Sequence, residues 1–81
     1  MTEDIGEHVC VEELTPNPKT RRWVIKSRHH DDLLGTVSWS GSWRCYVLVP
    51  ERDTIFSAGC LRDIAKFLRV RTSVHRGGDR P

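Results

Sequence analysis

The stretch from Arg22 to Val49, RWVIKSRHHDDLLGTVSWSGSWRCYVLV, decides the fold. Residues 22–28 are rich in β-branched and aromatic side chains and alternate in character, a pattern that favours strand over helix. His29, His30, Asp31 and Asp32 interrupt the pattern with four polar residues, and LLGTVSW over 33–39 resumes it. Ser40, Gly41 and Ser42 then separate Trp39 from Trp43, which predicts a tight hairpin with glycine at a positive-φ position. A third strand follows over 43–49 and ends at Pro50, which cannot donate to a ladder.

Beyond Pro50, Ser57 stands where a helix N-cap is expected, with Phe56 and Leu61 at the two positions of a hydrophobic staple. Leu61, Ile64, Ala65 and Leu68 follow the i, i+3, i+4, i+7 rule, widened by Cys60 and Phe67. Arg62, Asp63, Lys66 and Arg69 take the opposite side. The predicted fold is therefore α+β: a three-stranded antiparallel β-meander followed by one C-terminal amphipathic helix packed on one sheet face (βββα).

Working outward, Thr15, Pro16, Asn17 and Pro18 form a breaker cluster. Residues 1–18 carry five acids and no Lys or Arg, a net −5. Residues 19–81 carry all 13 basic residues against six acids, a net +7. The expected organisation is an acidic, flexible N-terminal arm over 1–18, a single domain over 19–71, and a loose tail over 72–81 containing Gly77, Gly78 and Pro81. The arm could also fold back onto the basic surface and compete with an anionic ligand there. A core of 53 residues buries little apolar surface, so a homodimer, or a sheet extended through an edge strand, is a further expectation.

Side chains alternate across a strand, so one helix covers only one set. The set expected beneath it is Trp23, Ile25, Val37, Trp39, Cys45, Val47 and Val49, meeting Leu61, Ile64, Ala65 and Leu68. Trp43 shares that face. The other set leaves an open face with Arg22, Lys26, Arg28 and Arg44, and with Thr36, Ser38 and Tyr46 between them. Cations interleaved with an aromatic and hydroxyls suit contact with a phosphate backbone. Val24, Leu34 and Leu48 fall on the same face and suit a protein-binding patch if they are exposed.

Other chemistries are poorly provided for. His29, His30, Asp31 and Asp32 lack a third ligand element such as HExxH or CxxC, and His8 with Cys10 makes only a weak pair, so no metal site is expected. There is no GxSxG, P-loop or GxGxxG, and a chain of 81 residues is small for an enclosed substrate pocket, so neither catalysis nor a cofactor is expected. Cys10, Cys45 and Cys60 are an odd count without a CxxC pair and read as reduced thiols, Cys10 at the surface and the other two as small core residues. The longest apolar run, Tyr46–Val49, is four residues, far short of the roughly 20 that a membrane helix needs. The start Met1–Glu7 lacks the parts of a signal peptide, so a cytoplasmic location is expected.

Residues 33–68, LLGTVSWSGSWRCYVLVPERDTIFSAGCLRDIAKFL, resemble small bacteriophage and prophage reading frames of unassigned activity, through WxxxWRxYxxxP followed by FxxxCLxDIxxF. The resemblance implies stoichiometric binding in a host cytoplasm, including inhibition of a host defence system in the manner of an anti-CRISPR. Separately, the βββα order is similar to AP2-like and integrase arm-binding domains, which lay a three-stranded sheet on DNA. That similarity implies contacts from Arg22, Lys26, Arg28, Arg44 and Tyr46. The two expectations carried forward are a nucleic-acid partner, DNA or RNA, on the sheet face and, as the alternative, a host protein.

Overall fold

The computed structural model describes residues 2–14, 21–30 and 32–77. The breaker cluster at 15–18, the start of the expected domain at Lys19, Asp31, and the end of the tail from Gly78 lie outside them.

The sheet has five antiparallel strands, not three: β1 (Thr2–Asp4), β2 (Val9–Glu13), β3 (Trp23–Ser27), β4 (Leu33–Ser40) and β5 (Cys45–Pro50), paired in the order β1-β2-β3-β4-β5. One helix, α1 (Ala58–His75), follows. The expected arm supplies the two extra strands. Val9 and Val11 alternate with Cys10 and Glu12, and the register Val11↔Ile25 and Val9↔Ser27 places both valines on the helix-covered face. Each is 1% exposed. Burying a valine contributes about 1.5–3 kcal/mol, which outweighs the weak preference of a charged segment for solvent. This burial within one chain removes part of the physical basis for expecting a dimer.

The β4–β5 connection is a four-residue loop over 41–44 and not the expected three-residue loop over 40–42, and the register differs by three residues, Trp39 meeting Tyr46 and not Trp43. Trp43 and Arg44 belong to the turn, Ser40 pairs with Cys45, and Trp39 pairs with Tyr46. The positive φ falls on Arg44 (58°) and not on Gly41. With a period of two, a slip by any odd number of residues exchanges the faces of the whole strand. Tyr46 and Leu48 therefore turn toward α1, and Val47 and Val49 turn away. Tyr46 is buried, contrary to its expected place on the open face, while Trp43 is 75% exposed, contrary to its expected place in the core. Gly35 lies where β4 and β5 approach closely: a Cβ there would stand 2.9 Å from the Val49 carbonyl oxygen.

Ser57 caps α1 as expected, its Oγ accepting the Cys60 amide at 3.2 Å. The buried stripe is rotated from the predicted one. Ile64 and Phe67 are buried, Cys60 and Leu68 pack beside them, and Leu61 and Ala65 are exposed. Phe67 wins over Ala65 because it meets Trp23 edge-on, with ring centroids 5.3 Å apart, and buries far more area. The helix continues past residue 71 because its last turn is held by the sheet. Thr72 Oγ1 accepts the Tyr46 amide at 2.9 Å, and the His75 ring stacks on Trp39 at 3.9 Å.

The two sheet edges differ. β1 is three residues long, exposed, and contains Glu3 and Asp4. On β5 the Tyr46 amide points outward to Thr72, so the alternation leaves Leu48 as the next outward amide and Pro50 without one. No helix among the described residues is long and apolar enough to cross a membrane.

Candidate functional site

The residues expected to form a basic sheet face do not act together. Lys26 and Arg28 are met by carboxylates from the first two strands: Lys26 Nζ lies 2.9 Å from Glu12 Oε1, and Arg28 Nη2 lies 3.3 Å from Asp4 Oδ2. Arg28 also donates to the Gly6 carbonyl at 3.0 Å. Tyr46 faces the core, where its hydroxyl accepts the Arg21 amide at 3.2 Å. Thr36 and Ser38 are half-buried on the open face, which their register shares with Val24, Val47 and Val49. Arg22 and Arg44 are exposed, Arg44 in the turn. Leu34 and Leu48 pack against the core and Val24 is half-buried, so the three do not make an exposed apolar patch.

Two further pairs complete the role of the acidic strands. Glu13 receives Arg21 in a two-point fork, with Nε and Nη2 each 2.6 Å from a carboxylate oxygen, and Glu3 lies 3.7 Å from Arg71 Nη2. The arm does fold back on the basic body, as one of the sequence readings allowed, and it does so as strands. The hydrogen bond from Lys26, reinforced by its charge, holds the Glu12 carboxyl below the usual glutamate range. The fork from Arg21 does the same for Glu13 and raises the Arg21 guanidinium in return.

These depressed carboxyls make the first hairpin sensitive to acid. A group whose folded pKa lies below its unfolded value contributes stability above the unfolded pKa, about 4.3 for Glu, and loses it as pH falls through the folded pKa. Thermal midpoints should therefore decline as pH falls from 6 to 3, and the double variant Glu12→Gln, Glu13→Gln should decline less steeply over that range. Equal slopes in melts followed by circular dichroism would contradict the pairing. Both groups are solvated, so the difference should shrink in high salt.

With the acids spent on the sheet, the cations left without an ion pair among the described residues include Arg62, Lys66, Arg69 and Arg76 of α1 and its cap. All four are exposed. Arg62, Arg69 and Arg76 are seven residues apart and lie along one line of the helix surface. Lys66 stands to one side, by a cavity it shares with Glu3, Asp4 and Asp63. The line spans about 21 Å at 1.5 Å per residue. Ala65 and Ser73 are small residues between these cations, and Asp63 lies on the Lys66 side of the line.

The line borders a groove of about 550 Å³ between α1 and β5. Leu68, Arg69, Thr72, Ser73 and Arg76 form its helical wall, and Cys45 and Tyr46 form the other. Trp43 and Arg44 immediately precede Cys45. No family model, curated protein or solved structure matches the chain. Its function must be read from its own geometry.

Sequence periodicity had already put Arg62, Lys66 and Arg69 on the solvent side of the helix. What marks them as a site is that none of them is in an ion pair among the described residues, together with the alignment of Arg76 beyond the expected end of the domain. The remaining chemistry-bearing groups are dispersed. Cys10 is buried, not at the surface, with Sγ 3.7 Å from the Lys26 carbonyl oxygen; Cys45 and Cys60 are half-buried. His29 and His30 are exposed, their amides donating to Ser27 Oγ. Among the described residues no three His, Cys, Asp or Glu side chains come together as a metal site would require.

Proposed function

We propose that this protein is a small non-catalytic binding module that holds nucleic acid, chiefly through phosphates, on the outer face of α1 and not on the sheet. The observation that carries this reading is the exposed line Arg62, Arg69, Arg76, with Lys66 beside it and none of the four in an ion pair among the described residues, in a chain whose sheet cations Lys26 and Arg28 are neutralised internally. Cations in a row attract a polyanion and release its condensed counterions. The packing of Leu34 and Leu48 against the core withdraws two of the three residues expected to form a protein-binding patch, while Val47 and Val49 take the open face beside Val24.

Four phosphate contacts give a log–log salt slope of about −2.8 to −3.6, and so a loss of roughly 50- to 150-fold in affinity between 50 and 200 mM salt. Fluorescence anisotropy with labelled oligonucleotides measures this. The pair Arg62→Glu, Arg69→Glu should weaken binding of all sequences alike and flatten the slope. Lys26→Glu, on the sheet face, should change the slope far less. An affinity indifferent to salt and to the helix variants would overturn the proposal.

A further inference from the structure

We infer, on the basis of the nucleic-acid reading above, that the ligand is single-stranded, with one base stacked on Trp43 and the adjoining backbone led past Arg44 into the groove beside Arg76 and Arg69.

The three tryptophans occupy different environments. Trp23 is 2% exposed, and Trp39 is half-buried beneath the His75 ring. Trp43 is 75% exposed at the β4–β5 tip. Burial of such a side chain is strongly favourable, so an exposed indole is an unsatisfied apolar surface. It is also carried on a braced turn: the Trp43 amide donates to Ser40 Oγ at 3.2 Å and the Arg44 amide to the Ser40 carbonyl at 2.7 Å. Arg44 adopts a left-handed conformation, φ 58°, that costs energy for any residue with a Cβ and that glycine would take freely. The Arg44 cation therefore adjoins the indole on a turn of defined, locally strained geometry.

These features adjoin the basic groove. Cys45, next to Arg44, is one of its walls, and Arg69, Arg76 and the hydroxyls of Thr72 and Ser73 are on the other. A positive groove leading to an aromatic platform is the arrangement that binds single strands without strong sequence preference, because every base has a π-face and the backbone follows the charge. In a duplex the bases are already stacked on one another and offer no face to Trp43. The indole therefore discriminates between a single strand and a duplex, whereas the α1 cations alone do not.

The test uses the full chain with 12-nucleotide oligothymidylate and oligouridylate, a mixed-sequence duplex of the same length, and polyglutamate as a polyanion without bases. Anisotropy and intrinsic tryptophan fluorescence are both read. The expected result is tighter binding of the single strands than of the duplex, with quenching that disappears in Trp43→Ala. That variant should lose roughly 5- to 150-fold in single-strand affinity, the effect of removing one base–aromatic stack, and Trp43→Phe should recover most of it. Equal affinity for strand and duplex with undisturbed fluorescence would overturn this inference and leave the phosphate-binding reading standing. Displacement of the strand by polyglutamate at equal charge would also overturn it. Failure to bind either nucleic acid at 50 mM salt would overturn both.

Discussion

Deleting residues 2–13 should abolish the cooperative thermal transition and leave no folded domain over 19–71. The segment looks dispensable by composition, yet Val9 and Val11 are each 1% exposed and join Trp23, Ile25, Val37, Tyr46, Ile64 and Phe67 in a single core. Two fully buried valines contribute about 3–6 kcal/mol at 1.5–3 kcal/mol each. The total stability of a small domain is about 5–15 kcal/mol. The deletion also strips β3 of its ladder partner from Trp23 to Ser27 and removes the carboxylates that meet Arg21, Lys26, Arg28 and Arg71. Far-UV circular dichroism during heating decides the matter, and a truncated chain that melts cooperatively near the full-length midpoint would refute the expectation. The milder Val11→Ala should lower the midpoint while keeping the transition cooperative.

Trp23→Ala should be among the most destabilising single substitutions, at about 3–5 kcal/mol. The indole is the hub of the core. It meets Tyr46 edge-on at 5.3 Å and Phe67 edge-on at the same distance, and the guanidinium carbons of Arg21 and Arg71 lie 4.9 and 5.0 Å from its ring centre. Removing it opens a cavity between sheet and helix and leaves Arg71 without one of the two rings it lies against, the other being Phe67. The Nε of Arg71 is buried and has no hydrogen-bond acceptor among the described residues, so that side chain depends on its aromatic surroundings more than a surface arginine does. Urea denaturation compares this variant with Trp43→Ala, whose effect should stay within about 0.5 kcal/mol because the side chain is exposed. Similar losses for the two variants would contradict the assigned environments.

That contrast between two tryptophans shows what a reading of residues alone resolves. The strands around Trp23–Ser27 and Leu33–Ser40 were legible from alternation, and the start of α1 from Ser57. Each depends on local periodicity or on a single capping hydrogen bond. The turn after Ser40 was not legible to the same precision, because SGSWR fits a three-residue loop closed by Trp39 and Trp43 almost as well as the four-residue loop closed by Ser40 and Cys45, and the two registers differ by an odd step of three residues. That step moved Tyr46 into the core and Trp43 into solvent. The first hairpin was hidden for a different reason: Glu3, Asp4, Glu7, Glu12 and Glu13 dominate the composition, although Val9 and Val11 stand at the period-two spacing of a strand. Its charge made sense only beside the cations of β3. The basic face moved accordingly, from the sheet, where Lys26 and Arg28 are matched, to α1, where Arg62, Arg69 and Arg76 are not.

The treatment of the two sheet edges has a consequence for the molecule in concentrated solution. A ribbon that recruits further chains needs a free row of alternating N–H and C=O groups at its margin. At one margin a short strand carries Glu3 and Asp4, and a second copy approaching there meets like charge. At the other, the Thr72 hydroxyl occupies the Tyr46 amide and Pro50 has none to offer, so an incoming strand would find little beyond Leu48 to pair with. Both margins of a sheet that carries valines on its uncovered face are thus poor templates for edge-to-edge growth.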